Sequence, residues 1–301
     1  MNTSAENRGS HGRNTLLLLT VMTLWGSLYI SNRVLLAAMP VLMVMFFRFF
    51  TGGVLLLLAA RILKLEFIRR EDLPLMIVIG FFGYFVSNGL LTVCTALTSA
   101  SLSSLLNSMN PLFIVFFAHF MLGEEITLRR IVLIVLAIIG AAIIIGSPGT
   151  EINLLGIVCA LGSILFWSWS SILMKRLTKK YDPIVITAYG QAIAGIASLL
   201  GGGYQLLRGA SIHFSPVIVG NILFISLACT ALAHMLWNYC MAREDAGRCA
   251  SFYPIQPMVS MLFGYLLLHE EMTPGFLLGS AIIIVSVALN SLPTHGKAEK
   301  H

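Results

Sequence analysis

Charge is what this chain has least of. Only 11% of its 301 residues are Asp, Glu, Lys or Arg, while 57% are hydrophobic; a soluble domain carries about 25% charged residues. A water-soluble globular fold is therefore a poor fit. Paired cysteines are missing too. Cys94, Cys159, Cys229, Cys240 and Cys249 stand in or at the ends of apolar stretches, without the spacing of a zinc site or a disulfide scaffold. They read as small packing residues, and neither a metal nor a cofactor is expected. The chain also lacks an H-E-x-x-H pair, a G-x-S-x-G elbow and a midspan Asp pair, so an intramembrane enzyme has no visible machinery. All 13 acidic residues lie at the ends of apolar runs or in the connections between them.

What fills the chain is apolar sequence in runs of about 20 residues, the length that crosses a bilayer as a helix. Ten such spans are expected, at 15–36, 41–61, 73–95, 100–122, 130–147, 154–174, 183–206, 216–241, 247–268 and 275–292. They leave no room for a soluble catalytic domain. Sorting the basic residues by connection tests this count. Arg8, Arg13, Arg61, Lys64, Arg69, Arg70, Arg129, Arg130, Lys175, Arg176, Lys179, Lys180, Arg243, Arg248, Lys297 and Lys300 all fall in alternate connections. The other connections hold only Arg33 and Arg208, and Arg48 lies inside the second span. Cytoplasmic connections are the basic ones, so both termini, a tail at 1–14 and another at 293–301, are expected on the cytoplasmic side. The net charge of +6 then reflects topology, and no nucleic-acid partner is expected.

The second half repeats the first. An offset of 146 aligns Asn88 with His234, Cys94 with Cys240, Asn110-Pro111 with Gln256-Pro257, Glu124-Glu125 with Glu270-Glu271, and Thr127 with Thr273. Upstream, Pro40 and Arg48 align with Pro183 and Gln191 at 143, and Trp25 and Arg33 with Trp167 and Lys175 at 142. Each unit, 15–147 and 154–292, has five spans. Because five is odd, the second unit enters the membrane from the opposite side. The fold class expected is an all-α integral membrane protein of ten transmembrane helices built as two inverted five-helix repeats. Such repeats commonly enclose a midplane substrate site reached by alternating access.

On these residues the chain resembles the drug/metabolite transporter superfamily, in its ten-helix bacterial type with two EamA domains. Trp25-Gly26, Pro40 with Arg48-Phe49, Asn110-Pro111, Gly123-Glu124-Glu125-Ile126-Thr127 and Gly140 carry the likeness in the first half. Pro257, Glu270-Glu271-Met272-Thr273 and Gly279 carry it in the second. The resemblance implies a multi-pass protein of the bacterial inner membrane moving a small-molecule substrate across the lipid bilayer, as monomer or homodimer. It is specific for fold and not for substrate. Small four-helix relatives use a buried glutamate for proton exchange, and neither half here has an equivalent in its first span. Facilitated or exchange transport, or coupling through His234, is expected instead.

Small polar or amphipathic metabolites such as amino acids fit best, because Arg48 is the one deep basic residue and phosphate-bearing cargo favours several cations. Multidrug efflux, and translocation of lipid, polyisoprenoid-linked or nucleotide-sugar cargo, are the alternatives. Pro111 and Pro257 free the carbonyls of Asn107 and Tyr253, and broken backbone at membrane depth lines a cavity or is buried in protein. Asn107, Asn110, Tyr253 and Gln256 are therefore candidate cavity residues. Tyr84 and Asn88, with Thr230, His234 and Asn238, add matched faces on the third and eighth spans. Trp25, Tyr29 and Trp167 lie on the first and sixth spans, which line the substrate path in the proteins this chain resembles, so cation–π or stacking contact with a substrate is expected, with a bilayer-interface belt as the competing reading. The competing reading for the polar set is bonding between helices. Glu124, Glu125, Glu270 and Glu271 are candidate gate or solvated helix-end residues, Trp237 is expected to face lipid or a neighbouring helix, and Gly275-x-x-x-Gly279 is either a dimer contact or internal packing.

Overall fold

Apolar runs cannot leave backbone groups unpaired in lipid, so each satisfies them as a helix. The computed structural model describes residues 3–122, 128–145, 153–244, 246–250 and 252–290, and all regular structure among them is helical. The order is α1 (Thr3–Leu36), α2 (Val41–Ile62), α3 (Leu73–Leu97), α4 in two pieces (Ala100–Asn107 and Asn110–Leu122) and α5 (Leu128–Ile145). The second half follows with α6 (Leu154–Leu177), α7 (Pro183–Leu207), α8 (Pro216–Arg243), α9 in two pieces (Ala246–Ala250 and Ile255–Leu268) and α10 (Pro274–Asn290). Eight of these are long and apolar enough to cross a membrane, and the shorter apolar helices Ile131–Ile144 and Pro274–Leu289 complete ten. α1 continues upstream through the polar residues before Thr15.

Pro and short polar side chains set the boundaries. Pro40 precedes α2, while Pro183 and Pro216 open α7 and α8 at positions where their missing N–H is no loss. Ser99, Asn153, Asp182 and Ser215 accept from the first-turn amides of α4, α6, α7 and α8, as N-caps do. α4 and α9 break just upstream of Pro111 and Pro257.

The helices pack as two inverted repeats. α1 packs on α8 and α9, as α6 packs on α3 and α4; α2 pairs with α7 and α5 with α10. Both α3 and α8 widen into a π-helical stretch at repeat-equivalent places, Ile79–Val86 and Phe224–Leu232. Such stretches are rare and gather at functional sites. Close approaches hold the self-paired helices. A Cβ on Gly53 of α2 would lie 2.7 Å from the Ala192 amide nitrogen, and one on Gly195 of α7 would lie 2.7 Å from Phe50 Cα. Gly140 and Gly279 meet backbone to backbone between α5 and α10, so Gly279 serves packing within the chain.

Polarity is inverted relative to a soluble protein. Leu128, Ile131, Val132 and Val135 of α5 and Leu154, Leu155 and Val158 of α6 are exposed on the outside. Inside are Arg48, Asn88, Asn107, Asn110, Gln191, His234, Asn238 and Gln256, all buried. Lipid takes the apolar faces, and the polar side chains lie inside the bundle.

Candidate functional site

Where α1, α3, α4, α6, α8 and α9 converge they line a small cavity. Its wall is Trp25, Leu28, Tyr29, Ser87, Asn88, Leu91, Asn107, Ser163, Trp167, His234, Tyr253 and Gln256, and its volume is about 30 Å³. That space holds a water or two. Eight of the sequence-based candidates line it: Trp25, Tyr29, Asn88, Asn107, Trp167, His234, Tyr253 and Gln256. Tyr84 does not; it stands behind the wall, its ring 5.9 and 5.4 Å from Trp167 and His234 between centroids.

His234 is the hub of this aromatic cage. Its ring lies 5.2 Å from Trp25, 5.5 Å from Trp167 and 6.2 Å from Phe49, centroid to centroid, mostly edge to face. Its Nδ1 is 2.9 Å from the Thr230 carbonyl; a carbonyl only accepts, so Nδ1 carries a proton and donates. Trp25 Nε1 donates to the Cys229 carbonyl at 3.1 Å, and Trp167 Nε1 to the Tyr253 hydroxyl at 2.8 Å. With their polar atoms tied to the wall, both indoles present π faces and edges to the space within. Trp237 belongs to the same cluster: it is 1% exposed and packs 5.5 Å from both Trp25 and Tyr253. Of its two expected surroundings, the neighbouring helices hold it, not lipid.

The broken helices supply the amides. The Asn107 carbonyl, freed by Pro111, accepts from Asn110 Nδ2 at 2.6 Å. Asn107 Nδ2 and the Tyr29 hydroxyl both donate to Gln256 Oε1, at 3.3 and 3.4 Å. One α4 amide, one α9 amide and one α1 phenol thus form a chain across the boundary between repeats.

Asn110, Thr230 and Asn238 do not line the cavity. Asn110 turns to Asn107 and accepts from Ser168 Oγ at 3.0 Å. The break at 108–109 rotates it away from the face that continuous helical spacing would give it. Thr230 accepts from Arg48 Nε at 3.1 Å through its hydroxyl and from Gln191 Nε2 at 2.9 Å through its carbonyl. Asn238 donates to Tyr84 Oη at 3.1 Å and Thr187 Oγ1 at 2.8 Å. These three side chains bond helix to helix behind the cavity wall. Sequence reasoning passed over Ser87 and Ser163, whose hydroxyl and backbone meet at 3.0 Å. Neither has a polar counterpart in the other repeat, so matching the halves did not single them out.

At both ends of the bundle the repeats are tied by charge. Glu270 accepts from the amides of Ala100 and Ser101 at 2.7 and 3.1 Å, capping α4. Nearby, Arg33 Nη1 donates to the Thr95 and Ala96 carbonyls at the end of α3. Its repeat partner Lys175 donates to the Glu244 carbonyl at the end of α8 on the opposite face. Cations at helix C-termini also meet the negative end of the helix dipole. Glu271 lies beside Glu270 and Arg33 in the wall of a surface depression. Glu124 and Glu125 lie outside the described residues. On the face that carries the start of α1, Asp72 takes Lys180 Nζ at 2.9 Å and the Tyr181 hydroxyl at 2.7 Å. The Tyr181 hydroxyl, followed by Lys180, holds the Asp72 carboxyl below its ordinary value, while Asp72 holds Lys180 above its own.

A bilayer-spanning bundle of two inverted repeats around a buried polar and aromatic centre is the architecture of a membrane transporter. The chain belongs to the EamA-like transporter family, whose domain matches twice, over residues 13–146 and 154–292. It is 28% identical to the uncharacterized transporter YvbV of Bacillus subtilis, over 96% of this chain and 94% of that one. It is 29% identical to a probable terminal-alkyne amino-acid exporter of Streptantibioticus cattleyicolor, over 93% and 94%, and 23% identical to a probable amino-acid metabolite efflux pump of Escherichia coli, over 92% and 94%. A crystal structure covering 92% of this chain and 96% of its own superposes with a TM-score of 0.71 at 19% identity, a likeness of fold.

Proposed function

We propose that this transporter moves small zwitterionic or amphipathic metabolites, amino acids foremost, across the bacterial inner membrane by alternating access of its two repeats. The carrying observation is the cavity: both repeats build it, aromatic faces and amides line it, and at about 30 Å³ it is far too small for an amino acid. A site that size takes cargo only when the halves separate, and a wall shared by both halves opens when one rocks against the other. Aromatic faces attract an ammonium group, amides hydrogen-bond either end of a zwitterion, and the apolar edges accept a side chain. The amino-acid exporters among the relatives support the same cargo class and an outward direction.

No described Asp or Glu lies at midspan, so the reading includes facilitated or exchange transport, with His234 the one candidate for proton coupling. The sorting of basic residues into alternate connections supports a cytoplasmic side for both termini. Purified protein in liposomes, preloaded with unlabelled amino acids at equal pH inside and out, is expected to accumulate labelled amino acid by counterflow, and Asn107→Ala and Tyr253→Ala to abolish it. Transport that strictly requires a proton gradient and survives His234→Ala overturns the coupling. A substrate whose transport is untouched by changes at Asn107, Tyr253, Trp25 and His234 overturns the site.

A further inference from the structure

Arg48 is a buried charge with no ion-pair partner among the described residues. A guanidinium stays protonated, and this one lies eight residues past Pro40, roughly 12 Å into α2 by helical rise, with 1% of its surface exposed. Nε donates to Thr230 Oγ1 at 3.1 Å, and the carbon centre of the group stands 4.9 Å from the Phe49 ring centroid. Nη2 has no hydrogen-bond partner among the described residues. The ion pairs among those residues, Arg69–Glu66, Lys180–Asp72 and Arg248–Glu244, lie outside the spans or at their ends. A desolvated charge with neither counter-ion nor full hydrogen bonding is costly within a bilayer and marks a functional position by default.

The repeat isolates what is particular about it. Gln191, at the equivalent place in α7, reaches the same Thr230 from the other half and is neutral. Its Oε1 is likewise without a partner among the described residues. A neutral side chain therefore suffices to bridge α8 from this position, and the charge on Arg48 serves something other than that bridge. Arg48 reaches the cavity wall through shared partners: its Nε and Nδ1 of the cavity residue His234 both bond to Thr230, and Phe49, beneath the guanidinium, has its ring 6.2 Å from the His234 ring. A cavity enlarged on the His234 side would extend toward Thr230 and the guanidinium bonded to it.

We propose that Arg48 is the anion receptor of the site and takes the carboxylate of an amino-acid substrate once the cavity opens. This rests on the amino-acid reading above and deepens it. A charge-assisted hydrogen bond from Nη2 supplies the missing partner and neutralises the charge. The ammonium end then faces the Trp25 and Trp167 rings and Gln256 Oε1. An inorganic anion such as chloride offers the same chemistry, and transport distinguishes the two.

The test is competition in the liposome counterflow of full-length protein in sodium gluconate, with L-leucine and L-phenylalanine set against their carboxamides. In the wild type the amides are expected to compete at least tenfold more weakly than the acids. Arg48→Gln, eluting as a single species like the wild type, is expected to bind the acids at least tenfold more weakly and to lose the preference. Arg48→Lys keeps the charge and is expected to retain part of it. Wild-type affinity for the acids in Arg48→Gln, or amides competing as well as acids in the wild type, overturns the inference. Transport that needs added chloride and treats acids and amides alike does so as well, assigning Arg48 to a fixed inorganic anion. Should Arg48→Gln fail to fold, the wild-type acid-to-amide ratio and Arg48→Lys decide. A wild type that carries no amino acid at all overturns both readings, whereas an indifferent Arg48→Gln overturns this one alone.

Discussion

Gly53→Ala is a sharp test of how the two repeats are joined. The added Cβ would stand 2.7 Å from the Ala192 nitrogen and 2.9 Å from its Cα. Those atoms are backbone of α7, so no side chain can swing aside, and relief requires the two helices to part. Across the same interface a Cβ on Gly195 meets the backbone of Phe50 at 2.7 Å, so the contact is tight from both sides. Overpacking of this kind costs about 1–3 kcal/mol, which lowers the melting temperature by a few degrees. Gly203, in the same α7, has nothing within 4 Å of its own added Cβ. There Gly→Ala removes only a helix-weakening glycine and is expected to stabilise by about 0.5–1 kcal/mol. Thermal unfolding of the two variants beside wild type in one mild detergent reads out the difference. Gly53→Ala as stable as wild type, or Gly203→Ala destabilised equally, refutes the claim that backbone contact at this seam holds α2 to α7.

Tyr253→Phe removes the acceptor of a 2.8 Å bond and leaves the buried Trp167 Nε1 unpaired; a loss of about 1–3 kcal/mol is expected in the same unfolding measurement, and an unchanged melting point would show that this bond does not brace the cage. Glu270→Gln keeps one acceptor where two charged oxygens cap α4. Hydrogen exchange at the Ala100 and Ser101 amides is expected to quicken roughly tenfold, the equivalent of about 1.4 kcal/mol, and exchange at the wild-type rate would remove Glu270 from the seal. The Asp72 latch has a signed pH dependence. Its folded value is depressed below the ordinary 3.8, so its contribution is full above that value and lost as pH falls through the lower one. The stability gap between wild type and Asp72→Asn is expected to close between about pH 5 and pH 2, and a gap that persists at the acid end would refute the linkage.

How much of the site was legible depended on what disturbed the helical register. Trp25, Tyr29 and Trp167 sit in uninterrupted helices, and the repeat together with the family resemblance points to the wall they form. Asn107 and Asn110 are separated by the break at 108–109, so equal spacing did not give equal facing. Thr230 lies within the π-helical stretch of α8, where an extra residue per turn shifts the phase and turns its carbonyl to His234 and Gln191. The repeat pairs Arg48 with Gln191, but their meeting at one threonine of a third helix is visible only in three dimensions.

The sequence by itself determined the spans, the repeat and the sorting of basic residues between connections. Each follows from chain-local chemistry: about 20 apolar residues cross a bilayer, an odd number of spans inverts the copy, and flanking cations report on sides. Tertiary structure decided which polar groups face the cavity and which bond between helices, that Trp237 closes the cage, and that Arg48 is buried with no counter-ion among the described residues. Those outcomes depend on helix breaks, π turns and backbone contacts between segments far apart in the chain, and hydropathy, a property of neighbours along the chain, carries no information about them.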